Sequence, residues 1–317
     1  MKAGRAVAAV LLSVCAACAK PAPDAASRVL ESAAAGDLAA EESALSSALA
    51  RNQNDAAALN ARGVLKLETL DFSGAFADFD SAVRADPAFA AAWYNRGNVR
   101  IDLGQMEEAL SDLEQAYTLD PTLTGALYSA GQAKSAGGDD QGAAEAMSAA
   151  LSADPDMRQA RLERAESLDA LDEYADARAL LDRVIADDPR SVTALRERAA
   201  VLLEMHESEL AAQDDSRVIA FLPDLALGYE DRADAWDDAQ RLDLAVSDYG
   251  EAIRRDPRNA VLYHNRARDY YRQRRFDLAQ ADWTKALSLD ASYAKEIAAY
   301  RRRVAEMRRA AAPRSEK

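Results

Sequence analysis

Proline returns at a fixed interval through most of this 317-residue chain. Its positions, each 34 residues after the last, are Pro87, Pro121, Pro155, Pro189, Pro223 and Pro257. A period of this length is typical of architectures in which a small unit is stacked many times and touches only its neighbours. The period therefore predicts a single elongated array, although the length alone would favour two globular domains.

Each unit is predicted to contain two short helices, as residues 90–123 illustrate. Gly104 ends the first helix, because glycine is a poor residue for a helix interior and a good C-terminal stop. The second helix stops before Pro121, because proline pushes the preceding residue out of helical backbone. Neither helix is long enough to be stable alone, so each must pack on its neighbours. The apolar stripe of the second helix consists of Ala109, Leu113, Ala116 and Tyr117.

Small and large residues occupy fixed positions of the unit, counted from its first residue. Position 8 is Gly or Ala, position 20 is Ala, and positions 4 and 24 are apolar except at Arg161 and Asp215. This helix-turn-helix pattern resembles the tetratricopeptide repeat family. The resemblance implies an all-α fold, a right-handed α-solenoid of stacked repeats that is superhelical and has a concave groove.

Seven such repeats follow one another without an insertion: 56–89, 90–123, 124–157, 158–191, 192–225, 226–259 and 260–293. Residues 22–55 match as a degenerate first repeat, so the predicted solenoid spans 22–293. A C-terminal capping helix is predicted at 294–310 and a disordered tail at 311–317. The repeat at 124–157 is rich in Ala and Gly, so we expect it to open first and to act as a hinge.

Residues 1–18 are interpreted as an export leader with a positively charged start. The apolar run at 6–17 is too short to span a bilayer comfortably. Ala16-Ala17-Cys18 resembles the lipobox of bacterial lipoproteins, with Cys18 as the lipidated residue, although Cys15 stands where Leu or Val is usual. Cleavage by ordinary signal peptidase and an uncleaved anchor remain open alternatives. Residues 19–24 are predicted to form a short tether.

Charge and residue usage exclude several classes of function. A net charge of -15 argues against nucleic acid as a partner. The only histidines, His206 and His264, lie in different repeats, and both cysteines lie in the leader. We therefore expect no metal site, no cofactor and no enzymatic activity.

Opposite charges recur at positions 7 and 23, which should lie side by side because the two helices of a repeat are antiparallel. A row of arginines could bind phosphate or carboxylate. Pairing within each repeat is favoured instead, because the 124–157 repeat lacks both charges. Arg164 alone is left over. The five expected pairs are Arg62 with Asp78, Arg96 with Asp112, Arg198 with Asp214, Arg232 with Asp248, and Arg266 with Asp282.

Positions 2, 5, 9 and 12 of the first helices line the concave groove in tetratricopeptide proteins. The resemblance therefore gives a candidate protein-binding set, neutral at first, then acidic and finally basic. Asn and Tyr side chains in it suit an extended peptide, whereas ordinary surface polarity is the alternative interpretation. The set is Asn60, Tyr94, Asn98, Ile101, Tyr128, Gln132, Glu166, Asp169, Glu230, Asp234, Asp237, His264, Arg268 and Tyr271.

The sequence thus favours a non-enzymatic adaptor or scaffold of the bacterial cell envelope that binds proteins or extended peptides. A lipid on Cys18 would attach it to a membrane. The alternative is a fixed structural or assembly component of an envelope machine, similar to pilotins or polysaccharide-export lipoproteins. Every interpretation of the leader predicts export. An outer-membrane lipoprotein facing the periplasm is the favoured location, and a periplasmic protein is the other.

Overall fold

The computed structural model describes residues 38–311, and within that range the chain forms 16 α-helices, one 3₁₀ turn and no strand. The all-α prediction is therefore confirmed. The predicted leader with Cys18, the tether at 19–24 and the start of the degenerate first repeat lie outside the described residues. So does the predicted tail from residue 312 onwards.

The helices follow one another in consecutive packed pairs, as the repeat pattern requires. In chain order they are α1 (Leu38–Arg51), α2 (Ala56–Glu68), α3 (Phe72–Ala85), α4 (Ala90–Asp102), α5 (Met106–Leu119), α6 (Thr124–Ala136), α7 (Asp140–Ala153), α8 (Arg158–Ala170), α9 (Tyr174–Asp187), α10 (Val192–Glu204), α11 (Ser208–Phe221), α12 (Ala226–Asp238), α13 (Leu242–Arg255), α14 (Ala260–Arg272), α15 (Phe276–Leu289), the 3₁₀ turn Ala291–Tyr293, and α16 (Ala294–Ala311).

In the seven repeats from residue 56 to residue 293, the turn between the two helices places position 15 in left-handed backbone. Among those seven repeats, only Gly104 and Gly138 supply glycine there. The next residue closes the first helix by donating its backbone N–H to the carbonyl five residues earlier, as Gln105 does to Arg100 at 2.8 Å. The non-glycine residues at this position, with φ between 58° and 62°, are Leu70, Asp172, His206, Gln240 and Arg274.

The Asp-Pro steps end the second helices through the aspartate as well as the proline. Asp120 leaves helical backbone, with φ at -139°, and its carboxylate accepts the N–H of Thr122 at 2.9 Å. The same bond, from the N–H two residues later, forms at Asp86, Asp154, Asp188 and Asp256. This local turn satisfies the backbone where proline prevents the helix from continuing.

The core of a repeat is a small residue at position 8 packed against a large one at position 24. A methyl group added at Gly63 would lie 2.6 Å from a ring carbon of Phe79, and one added at Gly131 would lie 2.6 Å from the Met147 methyl carbon. Phe79 and Met147 are themselves fully buried. An alanine at either position would therefore force the facing Phe79 or Met147 side chain to move.

The chain divides into two compact units, the first ending at Leu171 and the second beginning at Asp172. In the second unit, α16 packs on the last repeat through Ile297 and Val304, and Tyr300 stacks on Trp283 with ring centroids 5.2 Å apart. Met307, near the end of α16, is 42% exposed. No helix among residues 38–311 is both long enough and apolar enough to cross a membrane.

Candidate binding faces of the first helices

All five predicted arginine-aspartate pairs form, and each is bidentate. In the pair Arg232–Asp248, Nε and Nη2 donate to the two carboxylate oxygens at 2.7 Å each. The other four pairs have the same geometry, with distances between 2.6 and 2.9 Å. The prediction of pairing within each repeat is confirmed. These arginines therefore hold the two helices together and are not open to an external anion.

The remaining nitrogen of four of these arginines extends the seam to the preceding repeat. Arg96 Nη1 donates to Asp80 at 2.7 Å, and Arg198 Nη1 donates to Asp182 at 2.6 Å. Serine accepts at the same position elsewhere, from Arg62 and Arg232, through Ser46 and Ser216. One arginine thus joins three helices. The sequence signal for this third contact is the Asp or Ser at position 25 of the preceding repeat.

A second set of contacts joins the first helices of neighbouring repeats. Asn95 Nδ2 donates to Asn60 Oδ1 at 2.9 Å, and both amides are buried. Two further bonds link residues that are also 35 positions apart, Tyr128 with Glu163 and Arg196 with Asp231. Position 5, assigned to the groove from the sequence, therefore binds position 6 of the next repeat. Some residues of the candidate set, such as Asn60 and Tyr128, therefore bind the neighbouring repeat.

The first-helix face of the first unit carries mostly uncharged groups. Tyr94 is buried like Asn60, whereas Asn98, Ile101 and Tyr128 are half-buried and Gln132 is exposed. Gln132 Nε2 donates to Glu163 at 2.9 Å, beside the bond from the Tyr128 hydroxyl. Burial raises the pKa of the Glu163 carboxyl. The last two predicted residues of this unit, Glu166 and Asp169, are exposed and half-buried respectively.

The first-helix face of the second unit is acidic, and α12 supplies most of its charge. Glu230, Asp234 and Asp237 are all half-buried. Burial, with the nearby Asp234 carboxylate, raises the pKa of Glu230 to about 6. Burial also raises the pKa of Asp234, although the hydrogen bond that this carboxylate accepts from Tyr249 lowers it in part. Four carboxylates on this helix have partners: Asp231 with Arg196, Asp234 with Tyr249, Asp237 with Arg272, and Asp238 with Ser208.

Two fully buried carboxyls border this acidic face. Asp215 and Asp269 are each 1% exposed. Neither oxygen of Asp215 has a hydrogen-bond partner, and Oδ2 of Asp269 has none. Burial, reinforced by Asp231 and Asp214, raises the pKa of Asp215 to about 8. Burial raises the pKa of Asp269 to about 7. The sequence marked Asp215 as an exception to the apolar pattern, and it gave no sign of Asp269.

The basic end of the predicted set is largely covered by the elements that follow the last repeat. His264 is 4% exposed, stacks on Tyr293 at 4.6 Å between ring centroids, and has Nε2 3.4 Å from a Glu296 oxygen. Burial lowers the pKa of this imidazole. Tyr271 packs against the rings of Phe276, Trp283 and Tyr300. Arg268 is half-buried.

Within the part of the chain that the structure describes, no group of three or more His, Cys, Asp or Glu side chains converges in a way that could hold a metal ion. The polar groups of both faces are hydrogen-bond donors and acceptors spaced along short, packed helices. Such groups can bind a polypeptide segment by amide hydrogen bonds and charge.

Comparison with known proteins agrees with this architecture. Residues 90–123 and residues 129–199 each match a family model described as tetratricopeptide repeat. These two stretches of the chain are therefore similar to tetratricopeptide repeats. Repeats of this family mediate protein–protein interactions, and the fold is generally a non-catalytic scaffold. The sequence matches no curated protein.

Solved structures with the same fold are similar at low identity. The C-terminal part of a TPR repeat-containing protein from Cytophaga hutchinsonii is 16% identical, with 76% of this chain and 98% of that chain covered and a TM-score of 0.64. A tetratricopeptide repeat protein from Parabacteroides merdae is 19% identical, with 80% and 96% covered and a TM-score of 0.53. YrrB, described as a TPR protein with an unusual peptide-binding site, is 21% identical, with 58% and 95% covered and a TM-score of 0.52.

Proposed function

We propose that the protein is a non-enzymatic adaptor that binds extended segments of partner proteins on its first-helix faces in the bacterial cell envelope. The observation that carries this proposal is the face of the first unit, where Asn98, Ile101 and Gln132 combine amide groups with an apolar side chain on adjacent repeats. Amides bond the backbone of an extended peptide, and stiff apolar side chains add contact area. The similarity to YrrB, whose description includes a peptide-binding site, is compatible with this role.

Capture from detergent-solubilised envelope tests the adaptor role. Wild-type protein is compared with a variant carrying Asn98→Arg and Ile101→Glu on α4. The matched control carries Ser111→Arg and Thr118→Glu, which are exposed positions on the second helix of the same repeat. We expect several sub-stoichiometric partners that the control retains and the first variant loses. Equal capture by both variants would refute binding at this face.

The same experiment addresses the alternative, a fixed structural or assembly component of an envelope machine similar to pilotins or polysaccharide-export lipoproteins. One partner recovered in stoichiometric amount, in place of several, would favour that role.

The proposal includes attachment to a membrane, with an outer-membrane position facing the periplasm. It is supported by the Ala16-Ala17-Cys18 sequence at the end of the leader. Cys18→Ser should move the protein from the membrane fraction to the soluble fraction, whereas Cys15→Ser, the matched control, should not. If the Cys18 variant still sediments with membranes after a salt wash, the lipid anchor is refuted.

A further inference from the structure

Glu230 stands alone among the carboxylates of the second unit's first-helix face. The four other acidic residues of α12 are bound by an arginine, a tyrosine hydroxyl, another arginine and a serine hydroxyl. Glu230 is half-buried and forms no hydrogen bond or ion pair within residues 38–311. A carboxylate that is partly removed from water and lacks a partner is costly, unless a partner arrives from outside.

Negative charge around Glu230 exceeds positive charge. Four carboxyls of the face, those of Glu230, Asp231, Asp234 and Asp237, are accompanied by three arginines, Arg196, Arg268 and Arg272. Two further carboxyls that border the face, Asp215 and Asp269, are 1% exposed and keep oxygens without hydrogen bonds. The face therefore carries more carboxylates than arginines, and Glu230 is the carboxylate left over.

The arrangement does not suit a metal ion. No three carboxylates or imidazoles of the described residues converge on one point, and hard divalent cations need several oxygen ligands around them. A side-chain cation fits better, because a guanidinium or ammonium group needs only one or two carboxylates and carries several N–H donors. We propose that the acidic face around Glu230 binds an arginine or lysine side chain of an extended, basic segment of a partner protein.

This inference rests on the proposed adaptor function and narrows it to partners with basic segments. The first unit offers mostly uncharged groups on the corresponding face, with the exposed Glu166 at its end, whereas the second unit offers a half-buried carboxylate without a partner. A partner segment bound by the second unit is therefore selected by charge, which the amide groups of the first unit cannot do.

The test compares short fluorescent peptides in which alanine alternates with arginine, glutamine or glutamate, titrated against the whole protein near pH 7.5. Glu230→Gln removes the unpaired charge while keeping the shape, so it should not impair folding. Glu209→Gln, at an exposed position of α11 in the same unit, is the matched control with the same change in net charge. The control is needed because a protein of net charge -15 attracts any basic peptide at long range.

We expect the arginine peptide to bind more tightly than the glutamine peptide, and Glu230→Gln to weaken it roughly tenfold, the effect of one charge-assisted contact. Glu209→Gln should leave its affinity unchanged. Equal loss in both variants would overturn the inference, because it would mean general attraction only. Equal binding of the arginine and glutamine peptides to wild type would also overturn it, while leaving the adaptor role intact. That role fails separately, if envelope capture on the first unit gives no partners.

Discussion

Asp215 occupies a slot that every other repeat fills with an apolar or aromatic side chain, and replacing it should stabilise the protein. The corresponding residues in the second unit include Tyr249 and Trp283, both 2% exposed or less. Tyr249 shares a core cluster with Ala233, which holds the same position 8 as Ala199 does beside Asp215. A repeat with alanine at position 8 therefore accommodates a large side chain at position 24, and Asp215→Leu should fit.

The size of the stabilisation expected from Asp215→Leu follows from the protonation of the Asp215 carboxyl. Burial raises its pKa to about 8 from an ordinary value of 3.8. At pH 7 the folded protein keeps this carboxyl neutral while the unfolded chain ionises it, which costs about 4 kcal/mol at about 1.4 kcal/mol per pH unit. Because the folded state binds the extra proton, stability falls as the pH rises from about 4 to about 8 and is then level. Leucine removes this cost and adds about 2 kcal/mol of buried apolar surface.

Urea unfolding at pH 5 and at pH 8 provides the assay, with amide exchange of α11 as a local readout. Wild type should lose several kcal/mol of stability between pH 5 and pH 8. Asp215→Leu should lose much less, and it should unfold at a higher urea concentration than wild type at both pH values. Asp214→Leu, one residue away, is the control. It should destabilise by about 1 to 3 kcal/mol, because it leaves the half-buried Arg198 without the carboxylate that accepts two of its hydrogen bonds. An unchanged pH slope in Asp215→Leu would refute the reasoning.

Three further predictions concern the repeat itself. In a double-mutant cycle, Arg232→Ala and Asp248→Ala should show a coupling energy of about 1 kcal/mol, because the pair is bidentate and partly exposed. A coupling energy near zero would contradict the claim that this pair stabilises the contact between the two helices. Leu70→Gly should raise the free energy of unfolding by about 1 kcal/mol, and with it the urea midpoint, because Leu70 has φ at 62° and is 70% exposed. A lower midpoint would argue against strain at the turn. Hydrogen exchange should be faster in 124–157 than in 90–123, as Gly-rich helices without the Arg-Asp pair open first, and equal protection would exclude this.

The repeat fold could be predicted from the sequence because its determinants are local and periodic. Glycine or alanine at position 8, the Asp-Pro step and the Arg-Asp pairs recur at a fixed interval, and each acts within one repeat or on the next. The two exceptions to the pattern had different outcomes. Arg161 stands at position 4, where Trp93 donates its indole N–H to the Pro87 carbonyl, and the Arg161 guanidinium makes the same bond to Pro155. Its polar head therefore fits the position, whereas Asp215 finds no partner.

The candidate faces were less predictable, because the positions that point outwards in one repeat are also the positions that meet the next. Position 5 carries Asn60, Tyr128 and Arg196, and each bonds a residue 35 positions later. Whether such a side chain can contact a partner protein depends on the residue that the following repeat places beside it. The pattern of a single repeat does not contain this information. His264 shows the same limitation at the end of the array, since Glu296, which lies beside its imidazole, follows the last repeat.

The acidic face of the second unit joins stability and binding in one group of carboxylates. A chain selected only for stability would replace Asp215 and pair Glu230, because a carboxyl that is removed from water without a partner costs free energy. Their cost is offset when a cation binds beside them, and a ligand stabilises the state that it binds. Asp215 lies in the core behind the face, and Glu230 lies on the face itself. Substitution at the first should therefore change mainly the free energy of unfolding, and substitution at the second mainly the affinity for a basic segment.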